Sequence, residues 1–186
     1  MHRGRQRLNA RILRERDEPQ RGARLNYYYQ QALIWHRKAA EQGYAESQYN
    51  LGVMYANVQG VPQDDKQALS WFRKAADQGY ADSQYNLGVM YANGQGAPQN
   101  LIEAVFWFRK AAEQGVTRAH FNLGIMYDEG LGVPKDDQQA YFWFLLASVN
   151  GDEISVKNRD LVENRLTPQQ RSAAQTDARN WQPTKQ

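Results

Sequence analysis

The chain repeats itself every 36 residues. Trp35, Trp71, Trp107 and Trp143 are separated by 71−35, 107−71 and 143−107, which is 36 each time. Around each lies a version of one phrase: WHRKAAEQG at 35–43, WFRKAADQG at 71–79, WFRKAAEQG at 107–115 and WFLLASVNG at 143–151. A second phrase falls between them, QYNLGVMYAN at 48–57 and 84–93 and HFNLGIMYDE at 120–129. A period of this length means that one small supersecondary unit is stacked on copies of itself, each covering its neighbour's apolar face. The full units are 45–80, 81–116 and 117–152, and the first two agree at 25 of 36 positions. Residues 27–44 match only the second half of a unit, so the array opens on a helix that lacks its hairpin partner.

Each unit reads as two helices. In the first, about 45–57, Ala45, Gln48, Leu51, Gly52 and Tyr55 share one face at roughly 100° per residue. Glu46, Tyr49, Asn50, Val53 and Asn57 share the opposite face. Gly52, Gly88 and Gly124 sit mid-helix, where each costs about 1 kcal/mol against alanine. A cost repeated in every unit implies a compensation, the close approach of a partner helix that a Cβ would block. The segments VQGVPQD, GQGAPQN and GLGVPKD that follow are turn chemistry. They lack the preceding strand and the GK[ST] or GxGxxG of a phosphate loop. Asp64, Asn100 and Asp136 stand at N-cap positions. In the second helix, about 65–78, Ala68, Trp71, Phe72, Ala75 and Ala76 make a core-facing stripe. Gly43, Gly79, Gly115 and Gly151 end the second helices. The fold class is all-α, a stack of antiparallel helix hairpins.

The last unit departs from the others. Arg37, Arg73 and Arg109 become Leu145, and Lys38, Lys74 and Lys110 become Leu146. A surface turned apolar needs a cover, and residues 153–186 supply one. A helix over 153–165 carries Ile154, Leu161 and Val162. A second over 168–181 opens on the capping box of Thr167 and Gln170 with Pro168 at its first position, and buries Ala174, Ala178 and Trp181.

The net charge of +3 is unevenly placed. Residues 1–26 hold eight Arg and three acids, +5, and residues 27–186 hold 15 basic and 17 acidic residues, −2. The arm reads as a disordered basic segment, and the repeat body has no charge to attract nucleic acid. There is no cysteine, no apolar run of membrane-spanning length and no secretory signal. As written the chain is expected in the cytoplasm. A native start further upstream would change that to the periplasm or the exterior.

These residues resemble the Sel-1-like repeat family, relatives of the tetratricopeptide repeats, over 31–152. The pattern is matched at Leu51, Gly52, Tyr55, Gly60, Ala68, Trp71, Phe72, Lys74, Ala75, Ala76 and Gly79 and at their counterparts 36 later. Val58 stands where the family has a turn glycine, and Asn100-Leu101 where it has an acidic start to the second helix. The closing LTPQQRSAAQTDARNW is similar to caps of bacterial members. The resemblance implies a right-handed α-solenoid whose first helices line a concave groove, and a role as adaptor or scaffold binding another protein. In that geometry equivalent residues form ladders: Tyr49, Tyr85 and Phe121; Asn50, Asn86 and Asn122; Val53, Val89 and Ile125. Glu46, Asp82 and Arg118 mark one rim, and Asn57, Asn93 and Glu129 the other. Rigid aromatic surface and amides that both donate and accept suit a peptide segment or a partner helix.

The cationic ladder of Arg37/Lys38, Arg73/Lys74 and Arg109/Lys110 reads as a solvated convex face with i, i+4 partners Glu41, Asp77 and Glu113. The opening helix, with Tyr27, Tyr28, Tyr29, Leu33 and Trp35, offers a surface for self-association. Nothing points to catalysis, a metal or a cofactor. His2, His36 and His120 are isolated, Asp64/Asp65 and Asp136/Asp137 lie at helix starts, and no nucleophile has a base beside it, which leaves a hydrolase as the remote alternative.

Overall fold

The computed structural model describes residues 24 and 26–184. The basic arm read over 1–26 therefore lies, but for Arg24 and Asn26, outside the described residues. The described chain is helical: α1 (26–41), α2 (Ala45–Ala56), α3 (Asp65–Asp77), α4 (Ala81–Asn93), α5 (Leu101–Glu113), α6 (Thr117–Glu129), α7 (Asp137–Ala147), a single 3₁₀ turn, α8 (Glu153–Glu163) and α9 (Pro168–Asn180). No strand occurs among the described residues, and no described helix is long and apolar enough to cross a membrane.

We call α2, α4 and α6 the A helices and α1, α3, α5 and α7 the B helices. Each of the three A helices packs on the B helix of its own unit. Behind it lies the preceding B helix: α3 for α4, α5 for α6, and α1 for α2 through Leu33, Ala40, Leu51 and Met54. Asp64, Asn100 and Asp136 cap the B helices by accepting from backbone N–H groups of Gln67, Glu103, and Gln138 and Gln139. The mid-helix glycines receive an aromatic ring. A Cβ built on Gly52, Gly88 or Gly124 would stand 2.5 Å from the ring of Phe72, Phe108 or Phe144. The expected compensation is thus the phenylalanine of each unit's own B helix, seated in a notch.

Polar groups tie unit to unit. The Nε2 of Gln48 and of Gln84 donates to the carbonyl of Ala40 (3.1 Å) and Ala76 (3.2 Å) of the preceding B helix. Their Oε1 atoms accept from Gln78 and Gln114, each at 2.7 Å. The arginine ladder is exposed, as expected, but its partners are not the acids four residues on. Arg37, Arg73 and Arg109 reach the hydroxyls of Tyr55, Tyr91 and Tyr127 on the next A helix. They are cross-braces between units, because the tyrosine 18 residues on lies nearer than the acid four residues on.

In the last unit His120 takes the glutamine position. Its Nε2 donates to the Ala112 carbonyl at 2.9 Å, and its ring lies 5.6 Å from Trp143 and 5.0 Å from Trp181. The next member of the glutamine series is Asn150, one methylene shorter, and no protein group reaches Nδ1. Burial pushes the pKa of His120 down from 6.5, against a smaller pull upward from the Ala112 carbonyl. The unfolded chain therefore takes up a proton near 6.5 that the native state refuses until lower pH, and stability falls as the pH drops through that value. In His120→Gln this component is absent. Thermal melts at about pH 7.5 and about pH 5 should show a smaller acid-induced drop than in the wild type.

The cap follows the expectation in part. Leu146 is buried and Leu145 half-buried beside Gln175, Ala178 and Arg179 of α9, and both halves of the Thr167–Gln170 capping box form. In α8 only Val162 of the expected residues is buried. Ile154 and Leu161 are exposed. Arg165 fixes the cap to the last hairpin by pairing with Asp137 at 3.0 Å and with Asp128.

Val58 adopts φ +56°, where its counterparts Gly94 and Gly130 have +69° and +72°. A β-branched side chain in the left-handed region costs about 1–2 kcal/mol. Val58→Gly should stabilise the protein by about 1 kcal/mol, part of the relief being offset by the greater freedom of glycine when unfolded. A denaturant melt with an unchanged m-value measures it.

Candidate binding groove

The outer face of the A helices is only half-buried, because each A helix is already covered on two sides by B helices. Tyr85, Val89 and Asn93 of α4 and Asn122 and Ile125 of α6 line one depression of about 460 Å³. The turn residues Gln99, Leu101 and Leu131 wall it, and Phe108 and Met126 line it from the core. A second depression of about 550 Å³ is lined by Tyr85, Thr117, Arg118, Phe121 and Asn122, and by Asn150, Asp152, Ile154 and Ser155 at the start of the cap. Tyr85 and Asn122 belong to both, so the two make one trough crossing from the second unit to the cap.

The ladder residues are also structural. Tyr49, Tyr85 and Phe121 contact Phe72, Phe108 and Phe144 at ring-centroid distances of 5.9, 5.8 and 5.8 Å. Tyr49 lies against Tyr80 as well, at 5.0 Å. Each ladder ring thus holds in place the phenylalanine that fills the glycine notch. Burial raises the Tyr49 pKa, the Asp82 carboxylate adds to this, and Arg118 and Asn86 oppose it, so the hydroxyl is neutral at pH 7.

One rim is closed by an inter-unit ion pair. Arg118 reaches Asp82 at 3.2 Å, and its guanidinium lies 4.4 Å from the centre of the Tyr85 ring. Both groups are well exposed, so the pair orients Arg118 and adds little stability. Glu46 at the same register stands apart and exposed. On the other rim Asn57 donates to its own helix at Val53, Asn93 contacts Gln95, and Glu129 is exposed. Of the residues named from sequence, Tyr85, Val89, Asn93, Arg118, Phe121, Asn122 and Ile125 come together around the trough. Glu46, Tyr49, Asn50, Val53, Asn57, Asp82, Asn86 and Glu129 do not line it.

The sequence reading missed Leu101, Leu131 and Ile154, and a signal for each was available. Leu101 replaces Asp65 of the first unit, Leu131 replaces Gln59 and Gln95, and Ile154 follows Glu46, Asp82 and Arg118 in register. All three are apolar replacements at positions the repeat leaves polar, and all three border the trough. Among the described residues no cluster of three or more His, Asp or Glu has metal-binding geometry.

A stack of such hairpins defines a helical-repeat protein. The family model for the Sel1 repeat matches residues 23–44, 45–80, 81–116 and 117–152, and the chain belongs to that family. Sel1 repeats are commonly protein-interaction modules and typically not enzymes. No curated protein matches the chain. Among solved structures, a protective antigen of uropathogenic Escherichia coli displaying an SLR fold is 32% identical, with a TM-score of 0.60. The match covers 85% of this chain and 44% of that one. A Sel1 repeat protein from Oxalobacter formigenes is 29% identical with a TM-score of 0.66, covering 82% of this chain and 68% of that one. Cysteine-rich protein B of Helicobacter pylori, 20% identical, shares the fold with a TM-score of 0.56 over 72% of this chain and 96% of its own. The chain thus spans less than half the length of the first of these.

Proposed function

We propose that this chain is a non-enzymatic adaptor or scaffold that holds a peptide segment or helix of a partner protein in the trough between Leu131 and Ile154. The observation that carries the reading is the sharing of Tyr85 and Asn122 by both depressions. It joins the two depressions into one continuous surface running from the second unit to the cap. Val89, Leu101, Ile125 and Leu131 form an apolar half, and Phe121 and Ile154 continue it past the Asn122 amide. An amide among apolar walls recognises a backbone while the walls take alternate side chains.

Truncating the aromatic ladder is a poor test, since each ring supports the core and its loss costs stability. Asn122→Arg is a cleaner one. The side chain is half-buried, and no fold-holding hydrogen bond depends on it. The arginine fills the shared middle of the trough. Affinity capture from native lysate should lose at least about ten-fold of the specifically retained partner, with the melting temperature within about 2 °C of wild type. Undiminished capture by a folded Asn122→Arg variant places the site elsewhere.

A further inference from the structure

The outward face of α1 is exposed and more apolar than that of α3. Tyr27, Tyr28, Gln31, Ile34, Trp35 and Lys38 share one side of the helix, opposite the buried Leu33 and Ala40. Tyr27 and Tyr28 are each 61% exposed, Ile34 60% and Trp35 67%. The same registers hold Gln63, Asp64, Ser70 and Trp71 in the first full unit, and there the tryptophan is already half-buried. Trp107 and Trp143 are 5% and 7% exposed, because the preceding B helix and the unit's own A helix flank them. Among the described residues, α1 has neither neighbour. Tyr29 and Leu33, read from sequence as part of the open surface, instead face inward, Tyr29 beside Gly60 and Leu33 against Leu51 and Met54. Ile34 takes their place.

We propose that this face pairs with the same face of a second copy, the two α1 helices running antiparallel about a two-fold axis at Gln31. The spacing is self-complementary: Tyr27 and Trp35 each lie four residues from Gln31, and Tyr28 and Ile34 each lie three. A two-fold axis there sets Tyr27 opposite the partner's Trp35 and Tyr28 opposite the partner's Ile34, the isologous arrangement a closed dimer requires. The two tyrosines already hold each other edge to face at 5.9 Å. At the other end of the stack α7 is covered by α8 and α9. At roughly 60% exposure the two tyrosines, Ile34 and Trp35 bury about 450 Å² per copy, or about 900 Å² in all. That is below the about 1,200 Å² of standard specific interfaces, so the pairing is a weak one. Arg24 and Lys38 each lie seven residues from Gln31 and meet across the axis, so added salt tightens the dimer by screening like charges.

The test uses the full chain, which has no cysteine. Sedimentation velocity should resolve a monomer–dimer equilibrium that shifts toward dimer as salt rises. Trp35→Glu should weaken it about 1000-fold, a loss of about 30-fold counted on both sides of the axis. Gln31→Cys should oxidise to a disulfide-linked dimer at least about ten-fold faster than Gln67→Cys, its exposed counterpart on α3. Circular dichroism keeps loss of fold apart from loss of pairing. A chain still monomeric at about 1 mM overturns the proposal. So does pairing unaffected by both Trp35→Glu and Tyr28→Glu, or equal oxidation at positions 31 and 67. Asn122→Arg should leave the dimer intact, which separates this surface from the groove.

Discussion

Gly96→Ala is expected to cost about 4 kcal/mol and to lower the melting temperature by about 10 °C. Two independent penalties meet at this position. Gly96 has φ +73°, where an L side chain pays about 1–2 kcal/mol. A Cβ there would also stand 2.3 Å from the carbonyl oxygen of Asp65 and 2.7 Å from its carbon. Those are backbone atoms at the first residue of α3, so no rotamer change relieves the clash and the two units must part. Gly43→Ala is the control. Its φ is +95°, but nothing lies within 4 Å of the added Cβ, so only the conformational penalty of about 1 kcal/mol applies. Thermal melts of the two variants side by side measure the difference. Equal losses would mean that Gly96 serves the turn alone and does not set the distance between units. Gly132 is the same contact one unit on, with a Cβ 2.4 Å from the Leu101 carbonyl oxygen. These glycines read as turn residues in the sequence, and they are turn residues. What the sequence does not display is that the turn of one unit rests on the start of the preceding B helix, a contact made 31 residues away for both pairs, Asp65–Gly96 and Leu101–Gly132.

The architecture was legible because a repeat states its own constraints several times. Tryptophans at a constant interval, capping residues at 64, 100 and 136, and a glycine kept mid-helix despite its cost each point to one hairpin geometry. The glutamine–histidine substitution at 120 was harder to read. Isolated in the sequence, His120 proves to be buried, and it occupies the inter-unit hydrogen-bonding position of Gln48 and Gln84. The arginine ladder is exposed as its pattern suggests, but its partners are hidden for a related reason. Sequence spacing suggests i, i+4 partners on one helix, whereas the phenols of the next unit come within reach only after stacking. The groove was the least legible part. Face assignment found the ladder, yet Tyr49, Tyr85 and Phe121 are repeated because they brace the phenylalanines. The positions that shape the trough beyond them, Leu101, Leu131 and Ile154, are those where a unit abandons the pattern. In a repeat protein the common residues report the fold, and the departures from them report what that copy does.

The notch between Gly88 and Phe108 offers a test in which one substitution changes sign with its background. Phe108→Ala empties a buried site and should cost about 4 kcal/mol. Gly88→Ala in the wild type drives a Cβ to within 2.5–2.9 Å of three ring atoms. The ring cannot retreat into the core, which the cluster of Ala104, Ala111 and Leu123 fills, and it can move outward only by pushing the Tyr85 ring ahead of it. Overpacking of this kind costs about 1–3 kcal/mol, and the better helix propensity of alanine returns about 1 kcal/mol at most. In the Phe108→Ala background the ring is gone, the new Cβ fills part of the void, and only the gain remains. Gly88→Ala should then stabilise by about 1 kcal/mol, giving a coupling of about 2–3 kcal/mol in a double-mutant cycle. If Gly88→Ala costs the same in both backgrounds, the glycine answers to backbone approach and the ring is incidental. The cycle also reaches the groove, because Phe108 lines the floor of the first depression and touches Tyr85. A ring displaced by the Gly88→Ala methyl pushes Tyr85 toward the trough. The single variant should therefore lose partner capture out of proportion to its loss of stability, and no such excess loss should appear for Gly52→Ala, whose notch lies under Tyr49 outside the trough.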